Sequence, residues 1–201
     1  MNLFSEEKTI LKLPDAELIY IPKFLNQLKA DYYLKHLKSN IDWQQDDITI
    51  FGKTFKQPRL TALFAENKSS YSYSNITMYP QPFTSELLEI KNKIQQETQH
   101  TFTTVLINLY RDGNDSNGWH ADNEKELGEN PVIASLSLGE VRPFHFKHRR
   151  LKGERYKIGL EHGSLLIMKG AMQHHWLHQI AKTKKVIGAR INLTFRNLQT
   201  L

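Results

Sequence analysis

The spacing of hydrophobic residues along this chain changes character near residue 100. Upstream, two stretches repeat at the helical period. In "FLNQLKADYYLKHL", residues 24–37, Phe24, Leu28 and Tyr32 fall four apart, with Leu25 and Leu37 near the same stripe. In "SELLEIKNKIQQE", residues 85–97, Leu87, Ile90 and Ile94 make a stripe; Ser85 is placed as N-cap and Glu86 sits in the first turn. Downstream, "TFTTVLINLY", "PVIASLSL", "RPFHFKH", "GSLLIMKG" and "KVIGARINLTFR" are short β-type runs divided by Gly, Asn, Asp or Pro clusters. Helices first and strands afterwards predict an α+β, mainly β fold, a sandwich or jelly roll with helices packed on one side. Between the helices, residues 48–83 are strand-like but irregular. They are expected to form a hairpin and loops outside the barrel.

The last run alternates strictly. Ala189, Ile191, Leu193 and Phe195 form one face of the expected strand; Arg190, Asn192, Thr194 and Arg196 form the other. The first is a core face. The second, if it points inward, is an anion site. Two arginines six positions apart stand about 20 Å apart along a strand. Their long side chains can still lean together and grip the two ends of a small dicarboxylate through charge-assisted bonds. In "VLINLY", Asn108 and Tyr110 share a face and add neutral polar groups.

Another pattern is metal-like. "GNDSNGWHADNEKE", residues 113–126, leads through turn-formers to His120 and Asp122, which point the same way if extended. Further on, "MQHHWLHQI" offers His174, His175 and His178 after an apolar strand. Two His and one carboxylate make the facial set of non-haem Fe(II) oxygenases, with positions open for co-substrate and oxygen. Zinc hydrolases use a similar set, so ligand types alone leave the metal open.

Composition narrows the field. The 201 residues suit one domain, and 39% hydrophobic content suffices for a core without staples. There is no cysteine, which excludes disulfides, thiolate metal sites and cysteine nucleophiles. Charges interrupt the N-terminal stretch every few residues, and no apolar run approaches the ~20 residues of a membrane helix. A soluble cytoplasmic protein (nuclear, in a eukaryote) without membrane contact, acting as a monomer, is expected. The net charge is +6, and residues 142–157, "RPFHFKHRRLKGERYK", hold seven Lys or Arg with aromatic rings among them. That fits either a phosphate-facing surface or a solvated hairpin.

Together, His120-Ala-Asp122, Trp176-Leu-His178 and the terminal "RINLTFR" resemble the AlkB family of Fe(II)- and 2-oxoglutarate-dependent dioxygenases, which demethylate alkylated nucleic-acid bases. The match runs well over 101–199. More loosely, "IFGKTFKQPR" and "YSYS" resemble the nucleotide-recognition lid of the branch acting on double-stranded DNA. The resemblance implies a double-stranded β-helix over 101–199, with 1–100 supplying N-terminal helices and the lid within the same globular unit. It puts His120, Asp122 and His178 on iron, and Asn108, Tyr110, Arg190, Asn192, Thr194 and Arg196 around 2-oxoglutarate. Where the repair branch often carries an acidic residue after the metal Asp, this chain has Asn123.

The implied reaction consumes O2, turns 2-oxoglutarate into succinate and CO2, and removes an N-methyl group as formaldehyde. The target base must be flipped out of a duplex or already unpaired. Tyr71, Tyr73 and Trp119 are the candidates for stacking on it, and Phe51, before Gly52, is the candidate wedge for the vacated gap. Lys53, Arg59, Lys147, Arg149 and Arg150 are the candidate phosphate contacts. The expected partner is alkylated DNA or RNA. Competing readings are a protein or lipid hydroxylase with the same core, a non-catalytic lesion binder, and a zinc hydrolase that leaves the arginine face unexplained.

Overall fold

The computed structural model describes residues 7–50, 52–67, 71–73 and 76–198, with the backbone alone at 50, 71–73, 76 and 77. The chain begins with β1 (Thr9–Leu13), β2 (Ala16–Ile21) and α1 (Gln27–Asn40). Next come β3 (Asp47–Ile50), β4 (Lys53–Lys56), β5 (Leu60–Ala65), β6 (Tyr71–Tyr73), β7 (Ile76–Met78) and α2 (Ser85–Thr98). The second half runs β8 (Thr104–Tyr110), β9 (Asn117–His120), β10 (Ile133–Gly139), β11 (Arg142–His148), β12 (Arg155–Leu160) and β13 (Ser164–Lys169). It closes with α3 (Met172–His175), β14 (Trp176–Ile180) and β15 (Arg190–Arg196).

Two antiparallel sheets face each other. The larger has the order β1-β2-β13-β10-β15-β8-β5, the smaller β12-β11-β14-β9. Alternation along the strands divides the core in two. On β13, Leu165 and Ile167 join the cluster under α1 and α2, while Leu166 and Met168 meet Phe144, Phe146 and Trp176 of the smaller sheet. The larger sheet is thus covered on both faces, and β8 and β15 are buried at every position. This is the expected jelly roll with helices on one side.

Four local expectations change. The stripe of α1 is rotated: Leu28 and Tyr32 are 82% and 49% exposed, while Ala30, Tyr33 and Leu37 are buried. Both sets obey helical spacing, and docking against β10 decides between them. Thr84, not Ser85, caps α2, accepting the Leu87 N–H at 3.3 Å. β5 is no loop; it pairs with β8 at the edge of the larger sheet. Finally, the N-terminus contributes strands before its helix. β1 and β2 form a hairpin through Pro14 and Asp15, the latter at φ 59, and β2 pairs with β13. Asp is among the residues that tolerate this left-handed turn position. Among the described residues no helix is long and apolar enough to cross a membrane.

Candidate active site and metal centre

The space between the sheets opens into a pocket at one end. His120 ends β9, Asp122 lies just beyond it, and His178 sits in β14 directly opposite His120. A β-bulge separates that pair from the next, Ile180 opposite Asn117, so that Asn117 and His120, three apart, both line the pocket. Bulges commonly re-aim side chains in this way beside functional sites. Upstream, Gly113 makes the tight turn that begins this segment; a Cβ there would lie 2.4 Å from the Thr183 carbonyl oxygen.

One ligand atom each from His120, Asp122 and His178 fall within 4.8 Å of one another. His120 Nδ1 lies 2.7 Å from the Gly118 carbonyl, which can only accept, so Nδ1 carries the proton. Nε2 then faces the site as a lone pair, 3.1 Å from Asn117 Nδ2 and 3.9 Å from Asp122 Oδ1. Asp122 is 1% exposed. Arg196 donates to its Oδ2 from Nη2 at 2.7 Å, while Oδ1 is buried with no hydrogen-bond partner. Phe144 stacks on His178 at 5.2 Å.

The charges agree with this geometry. Burial works against the Asp122 carboxylate, but Arg196, His178 and His120 outweigh it and hold its pKa down to about 2. Burial, with His120 and Arg196 nearby, lowers His178 to about 3, and burial also lowers His120. A carboxylate oxygen with no donor, beside two neutral imidazoles, is the donor set that a divalent cation satisfies. The residues fit a metal.

The same pocket is lined by Asn108, Tyr110, Arg190, Asn192, Thr194 and Arg196. Arg190 is 1% exposed and donates to Ser137 Oγ at 2.9 Å, while its Nε and Nη1 have no partner. Its guanidinium lies 5.3 Å from the Tyr110 ring centre, with Arg142 against the same ring. Burial lowers its pKa to about 10. A buried guanidinium without a carboxylate is costly unless an anion joins it. Asn192 and Thr194 are spent on the pocket floor: Asn192 donates to Ser135 Oγ at 2.8 Å and accepts from Thr194 Oγ1 at 3.0 Å.

Several expectations are corrected. Both arginines line the pocket, but they differ in partners: Arg196 is paired with Asp122, whereas Arg190 has no carboxylate beside it among the described residues. Arg59, expected on the surface, is 5% exposed and faces inward, donating to Asn108 Oδ1 at 2.8 Å and to the Ser116 carbonyl at 3.3 Å. Trp119 is absent from the pocket lining; it is 40% exposed, with Lys147 Nζ 4.2 Å from its ring centre. The expected base-stacking residue and the expected phosphate contact thus lie against each other on the surface, in a cation–π contact. Lys53, Arg149 and Arg150 are exposed, the arginines on the turn after β11. Phe51 and the Tyr71 and Tyr73 side chains lie outside the described residues; the two tyrosines share strand β6.

A second cluster of ligand types, Asp15, His148 and His175, is a staple. His148 Nδ1 accepts the N–H groups of Arg150 and Leu151 at 3.1 and 2.9 Å, so its Nε2 carries the proton and donates to Asp15 at 3.2 Å. A protonated nitrogen is no metal ligand. His174 and His175 stand outside the triad. The residues that sequence reasoning missed are Ser135, Ser137 and Asn117. The serines alternate with Leu136 and Leu138 in "ASLSL", a polar face that could have been read as the partner of the last strand's. Nothing in the sequence around Asn117 signals its place.

An antiparallel jelly roll with a two-His, one-carboxylate cluster beside buried arginines defines a class, and the chain belongs to it: the model of the 2OG-Fe(II) oxygenase superfamily matches residues 17–196. Within that superfamily it is a member of the AlkB family, whose cofactor and co-substrate are Fe(II) and 2-oxoglutarate. It is 41% identical over 186 residues to human alpha-ketoglutarate-dependent dioxygenase alkB homolog 3, covering 88% of this chain and 64% of that protein. It is 33% identical over 180 residues to the mouse DNA oxidative demethylase ALKBH2, covering 85% of this chain and 75% of the relative. The chain therefore spans slightly under two thirds of the alkB homolog 3 relative. The solved structure of OsALKBH1 shares the fold, with a TM-score of 0.65 at 20% identity over 94% of this chain and all of that one.

Proposed function

We propose that this protein removes N-alkyl groups from bases of DNA by oxidation, in direct repair of alkylation damage. The observation that carries this reading is the convergence of the His120–Asp122–His178 cluster and the Arg190 guanidinium on one pocket between the sheets. Names of relatives lend support: one is a DNA oxidative demethylase.

In this reading His120, Asp122 and His178 hold Fe(II), Asp122 through its unpartnered Oδ1. Held there, iron with 2-oxoglutarate and O2 would supply the oxidation that converts 2-oxoglutarate to succinate and CO2 and places the second oxygen atom on the N-methyl carbon. The hydroxymethyl group would then leave as formaldehyde, the C–N electron pair returning to the nitrogen and the hydroxyl proton passing to that nitrogen or to solvent. Arg190 receives a carboxylate of the co-substrate on Nε and Nη1, while Ser137 and the Tyr110 ring fix its approach. Arg196 keeps Asp122 ionised and turned. Leu106, Leu160, Met168 and Ile180 exclude water from the walls.

Alkylated DNA is the substrate class, gripped through exposed cations such as Lys53, Arg149 and Arg150. The test is formaldehyde release from N-methylated oligonucleotides of DNA and RNA, single- and double-stranded, with Fe(II) and 2-oxoglutarate added. Release from DNA that requires both additions is expected. Release from RNA alone would move the substrate, and none from either would refute the reading.

A further inference from the structure

Asp122 lies beyond the last residue of β9, so the ladder that aligns His120 with His178 does not fix its backbone. One side chain does. Gln173, on α3 and 1% exposed, accepts the Asp122 backbone N–H on Oε1 at 3.0 Å. Its own amide group donates to Met168 Sδ at 3.7 Å. Met168 belongs to the pocket wall, and α3 runs directly into β14, which carries His178. Gln173 therefore ties the Asp122 segment to the element that presents the other histidine.

A buried glutamine often does no more than satisfy a backbone group. Here the group satisfied belongs to a member of the cluster itself. Gln173 spends its two donors poorly, since a thioether sulfur is a weak acceptor. An apolar residue of equal length would fill the space without that cost. What glutamine adds is the single acceptor at Asp122. Arg196 holds the same residue from the side-chain end, through Oδ2. Backbone and carboxylate are each fixed once, and Oδ1 is left aimed beside His120.

We propose that Gln173 is a positioning residue for the metal centre: it sets the Asp122 backbone relative to His178, and so the spacing of the ligand set. The proposal rests on the metal reading above. Partners of this indirect kind are worth about ten- to a hundredfold in metal affinity.

The test uses the full chain, metal-free and then titrated with Mn(II) by calorimetry, without co-substrate. Gln173→Met keeps length and removes the acceptor; Gln173→Glu keeps an acceptor oxygen. Gln173→Met should weaken Mn(II) binding about tenfold or more, and hydrogen exchange at the Asp122 amide should quicken. Gln173→Glu should retain amide protection and most of the affinity. Should Gln173→Met fail to fold, Gln173→Glu decides: a tenfold loss with the Asp122 amide still protected overturns the proposal. Wild-type affinity in folded Gln173→Met overturns it too, provided that His178→Ala abolishes binding. If His178→Ala binds Mn(II) like the wild type, the metal reading falls and this proposal with it.

Discussion

Arg196 Nη2 lies 2.7 Å from Asp122 Oδ2, and both side chains are at most 3% exposed. The pair joins the last strand of the larger sheet to the segment leaving β9 in the smaller one. One carboxylate oxygen is occupied and the other left for a cation. Removing the guanidinium should therefore damage the metal site before it damages anything else. Arg196→Met is expected to weaken Mn(II) binding and to raise the Asp122 pKa from about 2. Calorimetry at pH 7 measures the first effect. Unchanged Mn(II) affinity would make the pair a fold contact only.

Arg190 should behave differently. It touches no member of the cluster through a hydrogen bond, and its buried Nε and Nη1 have no hydrogen-bond partner. Arg190→Ala is expected to leave Mn(II) affinity close to wild type and to weaken 2-oxoglutarate binding to the Mn(II)-loaded protein. A loss of about 2–5 kcal/mol is the scale for truncating one member of a buried charged pair. Equal affinity in the two proteins would remove the last strand's polar face from the co-substrate site.

The buried histidine makes metal-free stability depend on pH. His178 titrates near 3 in the folded protein against an ordinary 6.5, and Asp122 near 2 against 3.8. In both cases the unfolded chain binds the proton more readily, so acid favours unfolding. The contribution of His178 is complete above about pH 6.5 and drains away as pH falls toward 3; that of Asp122 drains between 3.8 and 2. Urea unfolding of metal-free protein from pH 7 to pH 4 should thus show falling stability, with a shallower slope in His178→Gln. The difference can reach about 1.4 kcal/mol per pH unit, the value of one proton. Parallel slopes would mean that His178 is protonated in the folded protein.

The hairpin of β3 and β4 ends at Gly52, φ +74, with nothing within 4 Å of where its Cβ would stand. All four residues of β4 are exposed. Phe51 precedes this glycine in the sequence, and an apolar side chain that fills the gap behind a flipped base matters only where there is a stack to hold open. Phe51→Ala should cut activity on methylated duplex DNA far more than on a single strand. Arg149→Ala and Arg150→Ala should weaken both and lower the salt dependence of binding. Equal losses on duplex and single strand for Phe51→Ala, with a lower Tm, would return Phe51 to a packing role.

What the sequence determined by itself was whatever has a short period. The alternation in "RINLTFR" was legible because a strand's faces are set by its own backbone, and the structure puts Arg190, Asn192, Thr194 and Arg196 on one pocket wall. The same holds for the Leu87, Ile90 and Ile94 stripe. Two local signals of this kind went unread: the alternating "TILKLPDAELIYI", a hairpin with its turn, and the serines of "ASLSL". Tertiary structure decided the rest, because burial and partnership depend on residues far apart in the chain. Arg59 reads as an ordinary surface cation until Asn108, 49 positions away, takes its Nε–H. Nothing near Arg196 in the sequence shows that Asp122, 74 positions away, accepts its Nη2–H. Which of two equally periodic faces α1 buries, that Lys147 covers Trp119, and that Gln173 holds the Asp122 backbone were fixed only when the sheets closed on each other.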